Sequence, residues 1–300
     1  MEETQRKENK KKEIEEYFNS VNTDKNIRFE DVFTKDMLNK TKSNKDIKAT
    51  IDSFLKPIEA TVEDDYYKVK ALSASQIKQY LKSPTDFWRY SIYNDDRLEL
   101  SSKAIEFGKA AHCYVLEPQN FNIFDYDIKE KDLEQIKRMK QALNDNDYAS
   151  SLLYGLTTEK PFTLDIGDGF YLKGKMDGVK KLQNGMTCII DYKTTGNSVI
   201  DWGNKAQWDF HDIQVAVYQK LFKSRYHKYA DHFIFLVQST KEGYENDIDY
   251  VEFDTESIER ATQRLEDTIE DIKLHFIDKK PFTISEGLHV ITNEIRCRNE

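Results

Sequence analysis

Two aspartates and a lysine lie within a segment that otherwise has the pattern of a β-hairpin. The segment spans residues 174–195, GKMDGVKKLQNGMTCIIDYKTT, with Asp177 before the turn and Asp191 and Lys193 after it. Two adjacent carboxylates repel unless a cation lies between them, and Mg²⁺ takes such oxygens together with waters and phosphate oxygens. A neighbouring lysine can orient or deprotonate water, or stabilise charge on a phosphate. These residue types indicate metal-dependent phosphodiester hydrolysis; the alternative is a surface Asp–Lys set without a ligand.

The length of the turn at residues 183–185, Gln-Asn-Gly, decides which side chains meet. A two-residue Asn-Gly turn would place Asp177 opposite Tyr192, with Asp191 on the other face of the sheet. A three-residue loop with Gly185 left-handed places Asp177 directly opposite Asp191, with their β-carbons about 5 Å apart. The lysine two residues later then shares that face. We predict the three-residue loop.

The bulk composition is that of a soluble protein with a sizeable core. The 300 residues are 38% hydrophobic and 33% charged, with 17 Phe and 17 Tyr, which suits one large domain or a domain with an appendage. We expect neither a membrane-spanning run nor a signal peptide. Cys113, Cys188 and Cys297 are odd in number and far apart, which argues against a disulfide framework or a four-cysteine iron–sulfur site. We therefore expect a reduced cytoplasmic protein.

The net charge of −9 is unevenly distributed along the chain. Residues 71–240 contain 22 basic and 22 acidic side chains, whereas residues 241–300 contain 8 and 16. The middle of the chain is therefore neutral, which permits a basic nucleic-acid groove there without indicating one.

Two regions are predicted. Residues 1–70 are polar and hold only short helical patterns, at about 10–18, 29–40 and 47–55, so we expect a helical or partly disordered appendage. Residues 71–300 form the main domain. Its sequence predicts an α/β fold, a central mixed sheet flanked by helices.

Hydrophobic periodicity places the elements of that domain. Ser73 and Gln76 suggest a capping box for a helix that ends near Pro84. A second helix carries a predicted inward stripe of Ile105, Gly108, His112, Val115 and Leu116. The remaining predicted elements are helices at 129–144, 208–226 and 255–276, and strands at 160–166, 169–179, 186–195, 231–239 and 246–253.

Five motifs follow one another between residues 71 and 240: LSASQIKQYLKSPTDFW, FGKAAHCYVLEP, GKMDGV, IIDYKTT and QVAVYQ. In this order they resemble the RecB-like branch of the PD-(D/E)XK nuclease superfamily. More closely, they resemble the RecE (exonuclease VIII)-like exonucleases of phages and prophages. The resemblance implies a restriction-endonuclease-like core of α-βββ-α-β order, with an extra edge strand and a C-terminal helix.

The resemblance also assigns roles by position. It implies that Asp177 and Asp191 bind the metal, that Lys193 is the catalytic lysine, and that His112 and the Tyr192 carbonyl are further metal ligands. The expected metal is Mg²⁺, with Mn²⁺ as an alternative. For His112, the competing interpretation is a satisfied core histidine on an apolar helix face.

Four further residues have two interpretations each. Gln214 and Tyr218 match the family's Gln-x-x-x-Tyr pair and would contact DNA or support Lys193, or they lie at the edge of the core. Thr194 and Thr195 either bind a DNA phosphate or cap the strand.

The sequence lacks the cysteines that related iron–sulfur nucleases use to bind a cluster. Ser83 stands where iron–sulfur nucleases place a cysteine before the proline, and their C-terminal cysteine triplet is missing, so no Fe–S cluster is expected. Glu159 is a weaker candidate for a supporting acid. The histidines outside the motifs are assigned structural roles: His211, His227, His232, His275 and His289.

The resemblance implies a Mg²⁺-dependent exonuclease that degrades double-stranded DNA ends 5′ to 3′ and exposes single strand for an annealing protein in recombination. A homo-oligomeric ring and a phage or prophage origin in a bacterial host are further expectations. The alternatives are an endonuclease on the same fold, a catalytically silent DNA-end-binding module, and a protein adaptor that uses the acidic C-terminal helix.

Overall fold

The computed structural model describes most of the main domain. The described residues are 68–99, 101–158, 161–278 and 281–282, together with Lys12 and Tyr66. Apart from Lys12, the predicted helices between residues 10 and 55 lie outside this part of the chain, as do Glu159, His289 and Cys297.

Within the described residues, seven strands form two mixed sheets. The first has the order β1-β3-β2 and the second the order β4-β5-β6-β7. Strands β1 and β3 are parallel, as are β5 and β6, and the other neighbours are antiparallel. The strands are β1 (Leu72–Ser73), β2 (Phe162–Asp165), β3 (Tyr171–Gly174), β4 (Gly178–Lys181), β5 (Thr187–Thr195), β6 (His232–Ser239) and β7 (Ile248–Val251).

The five longer helices of the described residues agree with the predicted periodicity to within a few residues, and three short helices were not predicted. The helices are α1 (Ala74–Lys82), α2 (Pro84–Tyr90), α3 (Lys103–Leu116), α4 (Glu130–Asp145), α5 (Asp147–Leu153), α6 (Val199–Lys205), α7 (His211–Tyr226) and α8 (Thr255–Ile277), of which α2, α5 and α6 are the short ones. The capping box of Ser73 and Gln76 at α1 is confirmed. None of the helices in the described part of the chain is both long and apolar enough to cross a membrane.

The second sheet is covered on both faces. Ile189 and Phe235 pack in one cluster with residues of α1, α7 and α8. Ile190 and Leu236 face the other way and pack with residues of α3, α4 and α5. Because successive strand residues point to opposite faces, burial on both sides explains the nearly continuous apolar runs of β5 and β6.

The hairpin register is the predicted one. Gly178 pairs with Ile190 and Lys181 with Thr187. Gly185 adopts a φ of 85°, and the Leu182 amide donates to the Met186 carbonyl at 2.7 Å, which closes a three-residue loop. Continued by one position, this register places the residue before Gly178, Asp177, opposite Asp191.

One predicted strand is wrong as a single element. The segment 169–179 divides into β3 and β4, which belong to different sheets. The break follows Gly174, where a Cβ would lie 2.6 Å from Leu221 Cδ1 and 3.1 Å from Tyr218 Cε1. Helix α7 therefore crosses directly over the point at which the chain leaves the first sheet, and a larger residue there would displace the side chains of Leu221 and Tyr218.

The predicted inward stripe of α3 is also partly wrong. Ile105 is exposed, and the face of α3 that packs into the core carries Ala110, Ala111 and Val115. His112 is consequently turned away from the centre of the apolar face. The small alanines allow α3 to lie close to α4, and this close packing determines which face is buried.

Candidate active site

The two aspartates of the hairpin lie side by side at the point where β4 begins. Asp191 is only 1% exposed and points to the same side of β5 as Ile189, toward α7. Asp177 precedes β4, and its Oδ2 accepts a hydrogen bond of 2.8 Å from the Tyr192 amide. The strand itself thus fixes one carboxylate beside the other.

His112 reaches this pair from α3. Its Nε2 lies 2.6 Å from Asp177 Oδ2, and its side chain keeps 35% of its surface exposed. The ring also lies beside Tyr192, with centroids 6.2 Å apart. The interpretation of His112 as a satisfied core histidine therefore does not describe its surroundings, since its partner is a carboxylate at the edge of the sheet.

Lys193 approaches the second carboxylate. Its Nζ lies 2.5 Å from Asp191 Oδ2 and 5.8 Å from the centroid of the Phe235 ring. The lysine side chain is 26% exposed, so the ammonium group lies at the boundary between the buried carboxylate and solvent. Asp191 Oδ2 is buried and accepts no hydrogen bond of good geometry, although the ammonium is close.

Gln214 and Tyr218 lie one turn apart on α7 and support the hairpin from behind. The Gln214 Nε2 donates to Asp191 Oδ1 at 2.7 Å, and the Tyr218 hydroxyl donates to the Lys175 carbonyl at 3.0 Å. Gln214 therefore supports the carboxylate directly, whereas the resemblance implied contact with DNA or support of Lys193. Because Gln214 is buried, this arrangement favours positioning over DNA contact.

The two threonines after Lys193, Thr194 and Thr195, were predicted either to bind a DNA phosphate or to cap the strand. Thr195 is buried and its hydroxyl accepts from the Asn197 amide, which is the strand-capping role. Thr194 is half-buried beside Gly108 of α3.

In an extended strand the N–H and C=O of one residue point the same way. The Tyr192 carbonyl therefore faces the Asp177 side, as its amide does.

The electrostatics of the two carboxylates differ. Burial raises the pKa of Asp191 to about 6, against the opposing effect of Lys193. For Asp177, burial also acts to raise the pKa, but His112 and Lys193 outweigh it and the pKa is lowered. Burial acts to lower the pKa of Lys193, yet the two aspartates outweigh it and the pKa is raised. Burial thus makes Asp191 harder to ionise than Asp177.

Comparison with known proteins places this geometry in a family. Residues 73–280 match the family described as "PDDEXK-like domain of unknown function (DUF3799)". The chain belongs to this family. A solved structure described as a "putative exonuclease" from Eubacterium rectale superposes with a TM-score of 0.55 at 16% identity, covering 74% of this chain and 88% of that one. The fold is thereby shown to be that of the PD-(D/E)XK superfamily, as predicted.

One further solved structure has only a low similarity to this chain. A solved structure of a protein designated SSO0001 gives a TM-score of 0.29 at 17% identity, covering 65% of this chain and 84% of that one, which is too low to support an inference. No curated protein matches the chain.

A divalent cation suits the donors of this PDDEXK-like domain. In the described part of the chain, no three carboxylate, imidazole or thiol groups converge on one point. The carboxylates are instead neutralised in pairs, Asp177 by His112 and Asp191 by Lys193. Hard oxygen donors with one imidazole match the preference of Mg²⁺ and Mn²⁺. Asp191 Oδ2 is buried and, although the Lys193 ammonium is close, it accepts no hydrogen bond of good geometry, so it could also serve as a ligand of a cation.

Sequence reasoning missed three residues at or behind the site. Gln238 accepts from the Tyr192 hydroxyl at 2.6 Å and anchors the far side of β5. Lys78 of α1 and His211 of α7 lie 3.1 Å apart, Nζ to Nδ1. The signal for Lys78 was its position four residues after Ala74 on the apolar stripe of α1. Neither Gln238 nor His211 lay in a pattern that distinguished it.

Proposed function

We propose that this protein is a metal-dependent deoxyribonuclease that hydrolyses phosphodiester bonds at the ends of double-stranded DNA. One observation carries the proposal. Asp177, Asp191, Lys193 and His112, which come from three separate segments, meet at one edge of a PD-(D/E)XK fold. Gln214 is buried beneath Asp191 and donates to it, which is the kind of support that orients a metal-binding carboxylate.

The residues that would hold the cation are Asp177 and Asp191, with His112 and the Tyr192 carbonyl. Bound there, Mg²⁺ or Mn²⁺ supplies Lewis acidity toward water and neutralises charge on the phosphate. Ligands of this kind hold their geometry only when their own partners are fixed. The buried carboxylate of the site has such a partner in α7.

The protein's own groups have distinct tasks in the reaction. Lys193 keeps its proton, because the two aspartates raise its pKa, and holds a positive charge where negative charge develops on the phosphate. Gln214 fixes the orientation of Asp191. His112 holds Asp177 from the side of α3. Tyr218 fixes the backbone just before Asp177 through the Lys175 carbonyl.

The finer proposal follows the resemblance to RecE-like exonucleases. We expect 5′ to 3′ resection that exposes single strand for an annealing protein, a homo-oligomer that encloses DNA, and action in the cytoplasm of a bacterial host of a phage or prophage. Support comes from the order of the five motifs along residues 71–240. The exonuclease description of the Eubacterium rectale protein agrees with the proposal.

The test compares linear with covalently closed circular double-stranded DNA, in Mg²⁺, in Mn²⁺ and in EDTA. The variant Asp191→Ala removes the buried carboxylate, and Asp267→Ala, at an exposed position of α8, is the matched control. We expect loss of linear DNA only, abolished by EDTA and by Asp191→Ala but not by Asp267→Ala.

Other results would decide between the alternatives. Cleavage of the circle would replace the exonuclease by an endonuclease on the same fold. Binding of DNA ends without cleavage in either metal would leave a catalytically silent module. Absence of both binding and cleavage would overturn the proposal and turn attention to the adaptor interpretation.

A further inference from the structure

A second lysine lies on the same side of the sheet as Lys193 and, unlike Lys193, forms no ion pair in the described part of the chain. Lys78, on α1, is half-buried, and its Nζ lies 3.1 Å from His211 Nδ1. Within the described residues it forms no ion pair with any carboxylate. By contrast, Lys82, one turn later on the same helix, lies 3.1 Å from Asp209 Oδ1.

His211 accepts a hydrogen bond from Lys78 but does not neutralise it. Burial, together with the charges of Lys78 and Lys193, lowers the pKa of His211 to about 2, so the ring stays neutral and its Nδ1 is an acceptor. The ring is held by Trp202, with centroids 4.4 Å apart, and by Phe235 at 5.6 Å. His211 therefore aims the ammonium of Lys78 without balancing its charge.

Lys78 lies close enough to the catalytic lysine for the two charges to interact. Phe235, the β6 neighbour of Asp191, contacts both the ring of His211 and the ammonium of Lys193. Burial first, and the charge of Lys193 second, lower the pKa of Lys78 to about 7. The two lysines thus share the field of Asp191, but only Lys193 forms an ion pair with it in the described part of the chain.

An uncompensated half-buried lysine is a cost to the fold. A desolvated charge is destabilising unless an opposite charge accompanies it. An apolar side chain of similar length would fill the same space without this cost. The position of Lys78 therefore indicates an anion that arrives with the substrate.

We propose that Lys78 is a second phosphate-binding residue of this site, which with Lys193 receives a phosphate group of the DNA strand next to the scissile bond. This inference rests on the proposed function, because it names the substrate group that the site would bind. The phosphate is either an internal diester or the phosphate at the 5′ end, and both carry the same oxygens.

The test measures DNA binding without hydrolysis. A fluorescent double-stranded oligonucleotide is titrated with the full-length protein in EDTA at several KCl concentrations. Each phosphate contact made by a lysine contributes about 0.9 to the slope of log K against log salt. We expect Lys78→Met to reduce that slope by about one unit and to weaken binding by about tenfold at 0.1 M salt.

The control is Lys140→Met, which removes the same charge from a half-buried lysine on α4. Lys140 also lacks a carboxylate partner within the described residues, but it donates to the Tyr114 carbonyl on the other side of the sheet. Its slope should match the wild type. Lys78→Met should unfold at a temperature no lower than the wild type, and Lys78→Gln replaces it if the first variant does not fold.

The outcomes separate the inference from the proposed function. An unchanged slope and affinity in folded Lys78→Met, with nuclease activity intact, would overturn the role of Lys78 and leave the proposed function standing. Failure of the wild-type protein to bind DNA would overturn both. A loss seen only with 5′-phosphorylated ends would assign the terminal phosphate, and a loss independent of the end would assign an internal one.

Discussion

The side-chain amide of Gln214 donates to Asp191 Oδ1 over 2.7 Å, which fixes the carboxylate from the first turn of α7. The opposite oxygen is thereby directed toward Lys193, 2.5 Å away. Helix α7 is thus part of the site through Gln214, although this side chain is buried.

Removal of this contact should impair the reaction more than it impairs the fold. We expect Gln214→Ala to lower kcat about 10- to 100-fold, as for other residues that orient a metal ligand, with little change in KM for DNA. Gln219→Ala is the control, because Gln219 is also buried on α7 but donates to the Ala230 carbonyl. Steady-state degradation of linear DNA gives kcat and KM for both variants. Equal losses of kcat in Gln214→Ala and Gln219→Ala would contradict the role of Gln214.

Metal affinity should depend on His112. If His112 is a ligand or holds Asp177 in place, His112→Ala should weaken Mn²⁺ binding about 10- to 100-fold. Titration of the protein against free Mn²⁺, followed by electron paramagnetic resonance, measures this directly and without DNA. His232→Ala is the control, since His232 pairs with Glu252 on β7's side of the sheet. An unchanged affinity in His112→Ala would remove His112 from the metal site.

The stability of the fold should rise at alkaline pH because of Lys173. This side chain is 6% exposed and donates to the Tyr66 and Val69 carbonyls at 3.0 Å each. Burial lowers its pKa from 10.5 to about 8. Between these values the unfolded chain binds more proton than the folded one, so the free energy of unfolding increases with pH.

Comparison with Lys173→Met isolates that contribution. The wild type should gain up to about 3 kcal/mol relative to the variant between pH 8 and pH 10.5, at 1.36 kcal/mol per unit of pKa difference. Urea unfolding across this range gives the result. Parallel pH profiles for the two proteins would show that Lys173 titrates normally.

The crossing of α7 over the end of β3 should not tolerate a methyl group. Gly174→Ala would place a Cβ 2.6 Å from Leu221 Cδ1, inside a packed cluster. We expect destabilisation of about 1–3 kcal/mol, as for other overpacked positions, together with reduced activity because Tyr218 must shift. Gly196→Ala is the control, since its Cβ would lie 3.7 Å from Thr240 Oγ1. Chemical unfolding of both variants distinguishes a tight crossing from a general intolerance of alanine.

Local rules in the sequence were sufficient for the main elements and for the centre of the site. The three-residue loop with a left-handed glycine at 185 determined the register that brings Asp177 opposite Asp191. The i, i+4 spacing of Gln214 and Tyr218 placed them on one face of α7. These features depend only on neighbours along the chain or across one hairpin, where the geometry is narrow.

The features that the sequence did not predict depend on contacts between distant segments of the chain. The division of 169–179 into two strands follows from the passage of α7 over Gly174, which no local pattern contains. The proximity of Lys78 and His211 requires the packing of α1 on α7. The short helices α2, α5 and α6 were missed because seven residues carry too little periodicity.

The site is assembled from segments that are far apart in the sequence, so its residues leave the ribosome at different times. Lys78 and then His112 emerge first, the hairpin with Asp177 and Asp191 follows, and Gln214 comes only after β5 has been made. A nascent or truncated chain that ends before α7 would carry both acids but lack the contact that fixes Asp191. Such a chain would carry the carboxylates of the proposed metal site without the amide that orients one of them.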